Sequence, residues 1–465
     1  MKTRIEKDSL GEMQIPENAY YGVQTARAVE NFKISTWRFP AEFVRSLAWI
    51  KAAAANTNRE LGLLDVKKAE AIEKVAMSIA NGDLLEHFVV DVFQAGAGTS
   101  FHMNINEVIA NRACELLGST KGDHKLVSPN DHVNMGQSTN DVIPTAMRLT
   151  GLALSHPLLV TLDKLAASLE RKSTEFDSII KSGRTHLQDA VPLRLGQEFG
   201  GYATAIRRAK NAISQASFSL QELGLGGSAA GTGLNTHPEF RSKVVKHLNK
   251  ITGFQLTPAS NYFEAMQSMA VFTGLSGALR NLAVESIRIA NDFRLLASGP
   301  NTGLNEIELP AVQPGSSIMP GKVNPVMAEM LNMVGFQVIG MDTCITLASQ
   351  AGQLELNVMM PVISYNLFVS LSILTNALNT FCEKCVEGIT ANPEVCKKYA
   401  ENTLALATVL NPYIGYLNAA EVVKESLRTG RTIKEIVRER KLLTEEQWNE
   451  LFDPAKLTEP NLGKN

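Results

Sequence analysis

Four polar, glycine-rich clusters hold the side chains best suited to chemistry. They are "QAGAGTSFHMN" with Thr99 and Ser100, "NMGQSTND" with Ser138, Thr139 and Asn140, "GRTHLQDAVP" with Thr185 and His186, and "GSSIMPGKVNP" with Ser316, Ser317, Lys322 and Asn324. Each lies at or near an end of a predicted helix. A helix N-terminus presents free N–H groups and partial positive charge, which suits a carboxylate. Lys322, two residues before Asn324, adds a full charge. Hydroxyls, amides, one lysine and one histidine without a metal-ligand set form an inventory for binding a small dicarboxylate. No cofactor and no metal are expected. The eight histidines are scattered, and none forms an HxxxH or HExxH pair. A Gly/Ser/Pro loop such as Gly315–Pro325 is also the kind that closes over a substrate.

Plainer roles compete for the same residues. Ser, Thr, Asn and Asp cap helices, and Gly supplies special backbone angles. Ser138–Asp141 reads as a helix N-terminus, and Asn324-Pro325 as an N-cap followed by proline at the first helical position. The run "GLGGSAAGTGLN", Gly224 to Asn235, invites a phosphate-cradle reading. It lacks the Lys-Ser/Thr ending of a P-loop and follows no clear strand. Cys382 and Cys385 form a single CxxC within "NTFCEKCVEGI", which reads as helix, so they are taken as ordinary helix residues.

The elements that must position these clusters follow from proline placement, because proline breaks helix interiors. Stretches nearly free of it run over 145–181 (interrupted at Pro157), 193–222, 259–298, 326–350 and 362–390. Each shows apolar residues at three- and four-residue spacing. A helix of about 38 residues is roughly 57 Å long, more than one compact domain needs. Five such helices, apolar on more than one face, predict a bundle whose outer faces are buried by other subunits. Shorter helices joined by Gly/Asn/Pro-rich loops are expected before about residue 137. A small C-terminal region from about Asn392 carries two capping-box patterns, Thr432 with Glu435 and Thr444 with Gln447.

Composition narrows the partners. Lys+Arg 45 against Asp+Glu 47 leaves a net charge of −2, with no electrostatic footprint for nucleic acid or a membrane surface. The charged start "MKTRIEKDSLGEMQIPENAYYG" lacks the apolar core of a signal peptide. No run of about 18 apolar residues is evident, so no transmembrane helix is expected. Five cysteines, an odd and sparse count, argue for a reducing compartment and a cytoplasmic location.

"GSSIMPGKVNP" resembles the signature of the aspartase/fumarase superfamily, and "KVNP" resembles its aspartase and class II fumarase branch. The resemblance extends from "AYYGVQTARAVENF" to "NPYIGY". "GAGTS", "QSTND", "LQDAVP" and "KVNPV" are similar to aspartases. Met360 in "NVMMP", Gln350 before "AGQ", and "GTGLNTHP" lean the other way. The resemblance implies a mainly α-helical subunit of three domains, at 1–137, 138–391 and 392–465. It implies a homotetramer whose five-helix bundles combine into a twenty-helix core, with each active site built from three subunits. It implies reversible deamination of L-aspartate to fumarate and ammonia, or, as the alternative, hydration of fumarate to L-malate. Under it Ser316 is the general base, and Thr99, Ser138, Thr139 and Ser317 hold the β-carboxylate. Lys322 and Asn324 hold the α-carboxylate. Asn140, Thr185 and His186 surround the amino group, and Glu329 pairs with His186. A non-enzymatic protein on the same fold, like the lens proteins among the relatives, is disfavoured by the intact set of Ser316, Lys322, Asn324 and His186.

Overall fold

In the computed structural model, residues 2–453 and 456–460 are described. The chain is mainly α-helical, with small two-stranded sheets. Its long helices span Ala41–Glu60, Thr139–Glu175, Leu195–Phe218, Ala270–Leu296, Val326–Gln350 and Met360–Lys384. Two compact units divide the chain. One comprises Met1–Val160, Asn211–Ala283 and Phe336–Thr375; the other comprises Thr161–Lys210, Val284–Gly335 and Asn376–Asn465.

Proline misplaced two of the predicted helix limits. The second long helix begins at Thr139, takes Pro144 in its opening turns, and runs through Pro157 without ending. The expected 259–298 helix is two helices, Tyr262–Gln267 and Ala270–Leu296. Between them Ser268 adopts an extended backbone, and its Oγ accepts from Ala270 N at 3.3 Å. A serine N-cap, rather than a proline, makes that break. The 326–350 helix matches its predicted limits.

The expectation that no segment is apolar enough for a transmembrane helix is corrected. Thr139–Glu175, Val326–Gln350 and Met360–Gly388 are long and apolar enough to cross a membrane, by length and composition only. Single polar residues such as Thr145, Asn332 and Ser364 interrupt the apolar run without changing its character. Three of the Val326 helix's large apolar side chains lack cover within the chain: Met333, Phe336 and Leu347 are exposed, Phe336 at 60%.

In the first unit the N-terminal segment is held by buried carboxylates. Glu107 accepts from the backbone N–H of Gly22, Gln24 and Thr25 and from the Thr25 hydroxyl. A Cβ on Gly22 would lie 2.6 Å from Glu6 Oε2 and 2.9 Å from Glu107, so only glycine fits in "AYYGVQT". In the second unit the strands Ile180–Thr185 and Gln188–Arg194 form an antiparallel hairpin. Lys181 and Arg184 from its first strand both reach the fully buried Glu306, at 3.2 and 3.0 Å. The C-terminal helices pack around Leu410, Ile433, Ile436 and Leu451. Both capping boxes form there as expected.

Candidate active site

Two helix N-termini meet in the first unit. The helix Thr99–Leu116 starts after Ala97 and Gly98, both at positive φ (62° and 84°). Ala97 N donates to Val358 O at 2.8 Å, which ties this turn to the "NVMMP" segment. A Cβ on Gly98 would lie 3.2 Å from Ile143 of the neighbouring helix Thr139–Glu175. Thr99 is thereby brought beside the Ser138–Asn140 cluster, and it remains exposed.

The start of the Thr139 helix is held from both sides. Asp141, fully buried, accepts from Ser138 N through Oδ1 at 2.9 Å. Its Oδ2 accepts from Gly226 N and Ser228 N at 2.9 and 3.0 Å. The "GLGGSAAGTGLN" loop therefore does cradle an anion, and that anion is the protein's own carboxylate. Arg241 braces the same loop by donating to Gly226 O and Gly231 O. Asn140 Nδ2 donates to Ala229 O at 2.8 Å. Burial pushes the Asp141 carboxyl up to about 6, against its N–H partners and the charge of Lys51.

Beneath Thr139 lies a network that sequence reasoning missed. Thr139 Oγ1 meets His102 Nδ1 at 2.8 Å, and His102 Nε2 meets Lys51 Nζ at 2.7 Å. Lys51 also donates to Asn134 Oδ1 at 3.0 Å and Gln137 Oε1 at 2.9 Å. Lys51 is 0% exposed and His102 1%. Burial lowers the affinity of Lys51 for its proton, opposed by the charge on Asp141. Burial, then the charge of Lys51, holds His102 far below the ordinary histidine value, so its ring is neutral. A signal was present in the sequence. Lys51 interrupts "LAWIKAAAAN", a helix whose residues Leu47–Ala55 are buried save Trp49, so that lysine has no route to solvent.

The second unit holds the remaining candidates on open structure. His186 and Leu187 form the two-residue tip of the hairpin, both at positive φ (56° and 59°), as a type I′ turn requires. Two non-glycine residues in that region cost of order 1–3 kcal/mol each. Thr185, His186 and Leu187 are exposed. Among the described residues neither His186 nor Glu329 makes a side-chain hydrogen bond or ion pair, so the expected His186–Glu329 pair is not formed within the chain.

The Gly315–Pro325 segment is a closed loop. Gly315 N donates to Lys322 O at 2.7 Å, and Asn324 Nδ2 donates to Gly315 O at 2.7 Å. A Cβ on Gly315 would sit 2.6 Å from Lys322 O, so the closure needs glycine. Asn324 thus latches the loop through its amide nitrogen, and the helix begins at Val326 rather than Pro325. Ser316 Oγ accepts from Ile318 N at 3.2 Å and Met319 N at 3.0 Å. Ser316, Met319 and Lys322 line a recess of about 570 Å³. Ser317 and Lys322 are exposed, and Lys322 Nζ has no partner among the described residues. Cys382 and Cys385 are buried structural thiols, with Cys385 pushed up to about 12 by burial.

A family described as Lyase matches residues 11–340, and one described as Fumarase C C-terminus matches residues 406–459. The chain belongs to the aspartase/fumarase superfamily of lyases. An aspartate ammonia-lyase from Bacillus sp is 49% identical over 99% of this chain and 98% of its own. A class II fumarate hydratase from Halobacterium salinarum is 50% identical over 98% and 97%. Identity alone therefore does not divide the two activities. The crystal structure of a fumarate lyase:delta crystallin from Brucella melitensis, bound to cobalt, superposes with a TM-score of 0.95. It is 47% identical and covers 99% of this lyase and all of its own chain.

Proposed function

We propose that this lyase converts L-aspartate reversibly to fumarate and ammonia, with Ser316 as the general base. The observation that carries the proposal is the pair of backbone N–H groups on Ser316 Oγ. A serine is a weak base unless its alkoxide is stabilised, and successive backbone N–H groups in a turn form an anion-binding nest. The difficult step is removing a poorly acidic proton beside the β-carboxylate. The resulting carbanion spreads into that carboxylate as an aci-form, which preorganised donors stabilise. Thr99, Ser138, Thr139 and Ser317 are the proposed donors, and Lys322 and Asn324 hold the α-carboxylate. Thr185 and His186 join Asn140 around the amino group. Asn140 favours an amine: its Nδ2 is engaged by Ala229 O, which leaves the carbonyl oxygen as acceptor for ammonium N–H groups.

The assembly belongs to the same proposal. A three-domain subunit forms a cytoplasmic homotetramer, in which other copies cover the exposed apolar face of the Val326 helix. Sites then combine residues of different subunits, and Glu329 of one meets His186 of another. The second reading is class II fumarate hydratase. Met360 where aspartases carry an acid, Gln350, and the 50% identical fumarase favour it. One assay separates the readings: absorbance of the fumarate double bond on adding aspartate or malate to purified protein. Signal from aspartate supports the ammonia-lyase. Signal from malate alone makes it the hydratase, and silence with both removes the lyase assignment to these substrates.

A further inference from the structure

In the buried network under Thr139, neighbouring carbonyls fix how the two amides are turned. Asn134 Nδ2 is used on Gln137 O, and Gln137 Nε2 on Val133 O and Met135 O. Both amides therefore turn their oxygens, which only accept, toward Lys51. An ammonium at Lys51 has three N–H groups and meets three acceptors: Asn134 Oδ1, Gln137 Oε1 and His102 Nε2. Burial works against the ammonium and the charge on Asp141 works for it, so the geometry of the acceptors around Nζ carries the assignment. With Nε2 accepting, the neutral ring carries its hydrogen on Nδ1, 2.8 Å from Thr139 Oγ1. Thr139 must then accept, and its single hydroxyl hydrogen is left to donate elsewhere. The helix N-terminus holds the residue, and the relay sets the polarity of its hydroxyl.

We propose that His102 is a positioning residue for the lyase reaction. Held by Lys51 at Nε2, it gives its Nδ1–H to Thr139 and so commits the threonine's hydroxyl hydrogen to the substrate carboxylate. This rests on the placement of Thr139 in the dicarboxylate site proposed above. Without the relay the hydroxyl is free to turn its hydrogen away, and a carboxylate that gains no other donor loses a charge-assisted bond. The network lies wholly inside the protein, so His102 touches no substrate and takes no proton from it.

The test is a double-mutant cycle on purified full-length protein, with H102L, T139V and the pair, read as kcat and KM for the substrate that generates fumarate. H102L should lower kcat/KM about ten- to a hundredfold. In the T139V background the same change should have almost no effect, because the hydroxyl it orients is gone. H102Q should recover most of the loss, since a glutamine amide can accept from Lys51 and donate to Thr139. A merely structural His102 predicts a loss that is equal in both backgrounds and tracks thermal stability, and that result overturns the proposal. Should H102L fail to fold, H102A, which leaves room for water beside Lys51, runs the same cycle. Equal losses with wild-type lyase activity intact refute the relay and leave the function standing. Wild-type protein that neither turns over aspartate or malate nor binds fumarate refutes both.

Discussion

The Thr139 helix start and the Ser316 loop use similar residues and solve opposite problems. At Thr139 each candidate is backed by protein. Asp141 takes three backbone N–H groups, Asn140 is tied to Ala229, and Thr139 rests on buried His102. Around Ser316 the loop closes only on itself, and its apolar side chains face outward, Ile318 at 84% exposure. His186 stands on a similarly open hairpin tip, beside Leu187 at 70%. One cluster is rigid before any ligand arrives. The other leaves Lys322 and His186 without partners among the described residues. Burial makes the first a stability element as well as a candidate site, whereas the second is expected to change with little cost to folding.

That contrast can be broken most sharply at Ser316. Ser316→Ala should reduce turnover by about 10²–10⁴ or more while thermal stability stays near wild type. Activity within tenfold of wild type would remove Ser316 as the base, and a large loss of stability would erase the distinction between the two clusters. Next comes Lys322→Met. Loss of the charge that meets a carboxylate should weaken substrate binding by about 2–5 kcal/mol, seen chiefly in KM. Unchanged KM and kcat would place Lys322 outside the site.

A third experiment asks whether the open cluster is completed by another copy. Ser316→Ala and His186→Ala chains, unfolded together in equal amounts and reassembled, should recover about one quarter of wild-type activity. That is the chance that two chains each contribute an intact residue to one site of a closed assembly. Each variant reassembled alone should stay inactive. Hybrid assemblies no better than these controls would mean that both residues come from one chain or that sites are not shared.

The smallest effect concerns the buried cluster. The Asp141 carboxyl is pushed up to about 6 by burial, whereas an ordinary aspartate lies near about 3.9. Between about pH 4 and 6 the folded protein holds a proton that the unfolded chain has released. This group's contribution is therefore present at low pH and is lost as pH rises through about 6. Relative to Asp141→Asn, wild type should lose of order 1–3 kcal/mol across that window, measured by urea unfolding. Parallel profiles for the two proteins would show that Asp141 is ionised throughout.

The chain's residues alone determined the helical class, the 326–350 helix, the two capping boxes and the four polar clusters, because each rests on local chemistry. Periodic apolar spacing, a threonine three residues before a glutamate or glutamine, and glycine beside serine are read within a few positions. Proline was a weaker guide, since a helix tolerates Pro157 where packing holds it and breaks at Ser268 where a cap ends it. Only the tertiary structure decided that Gly224–Asn235 cradles Asp141, that Asn324 latches its own loop, and that Lys51 and His102 stand under Thr139. Those partners are 37 to 89 residues apart for the buried relay and the glycine loop, from His102 with Thr139 to Asn140 with Ala229, beyond any local pattern. A buried amine or carboxylate takes its partner from whatever the fold places within about 3 Å, and spacing along the chain carries no record of that choice.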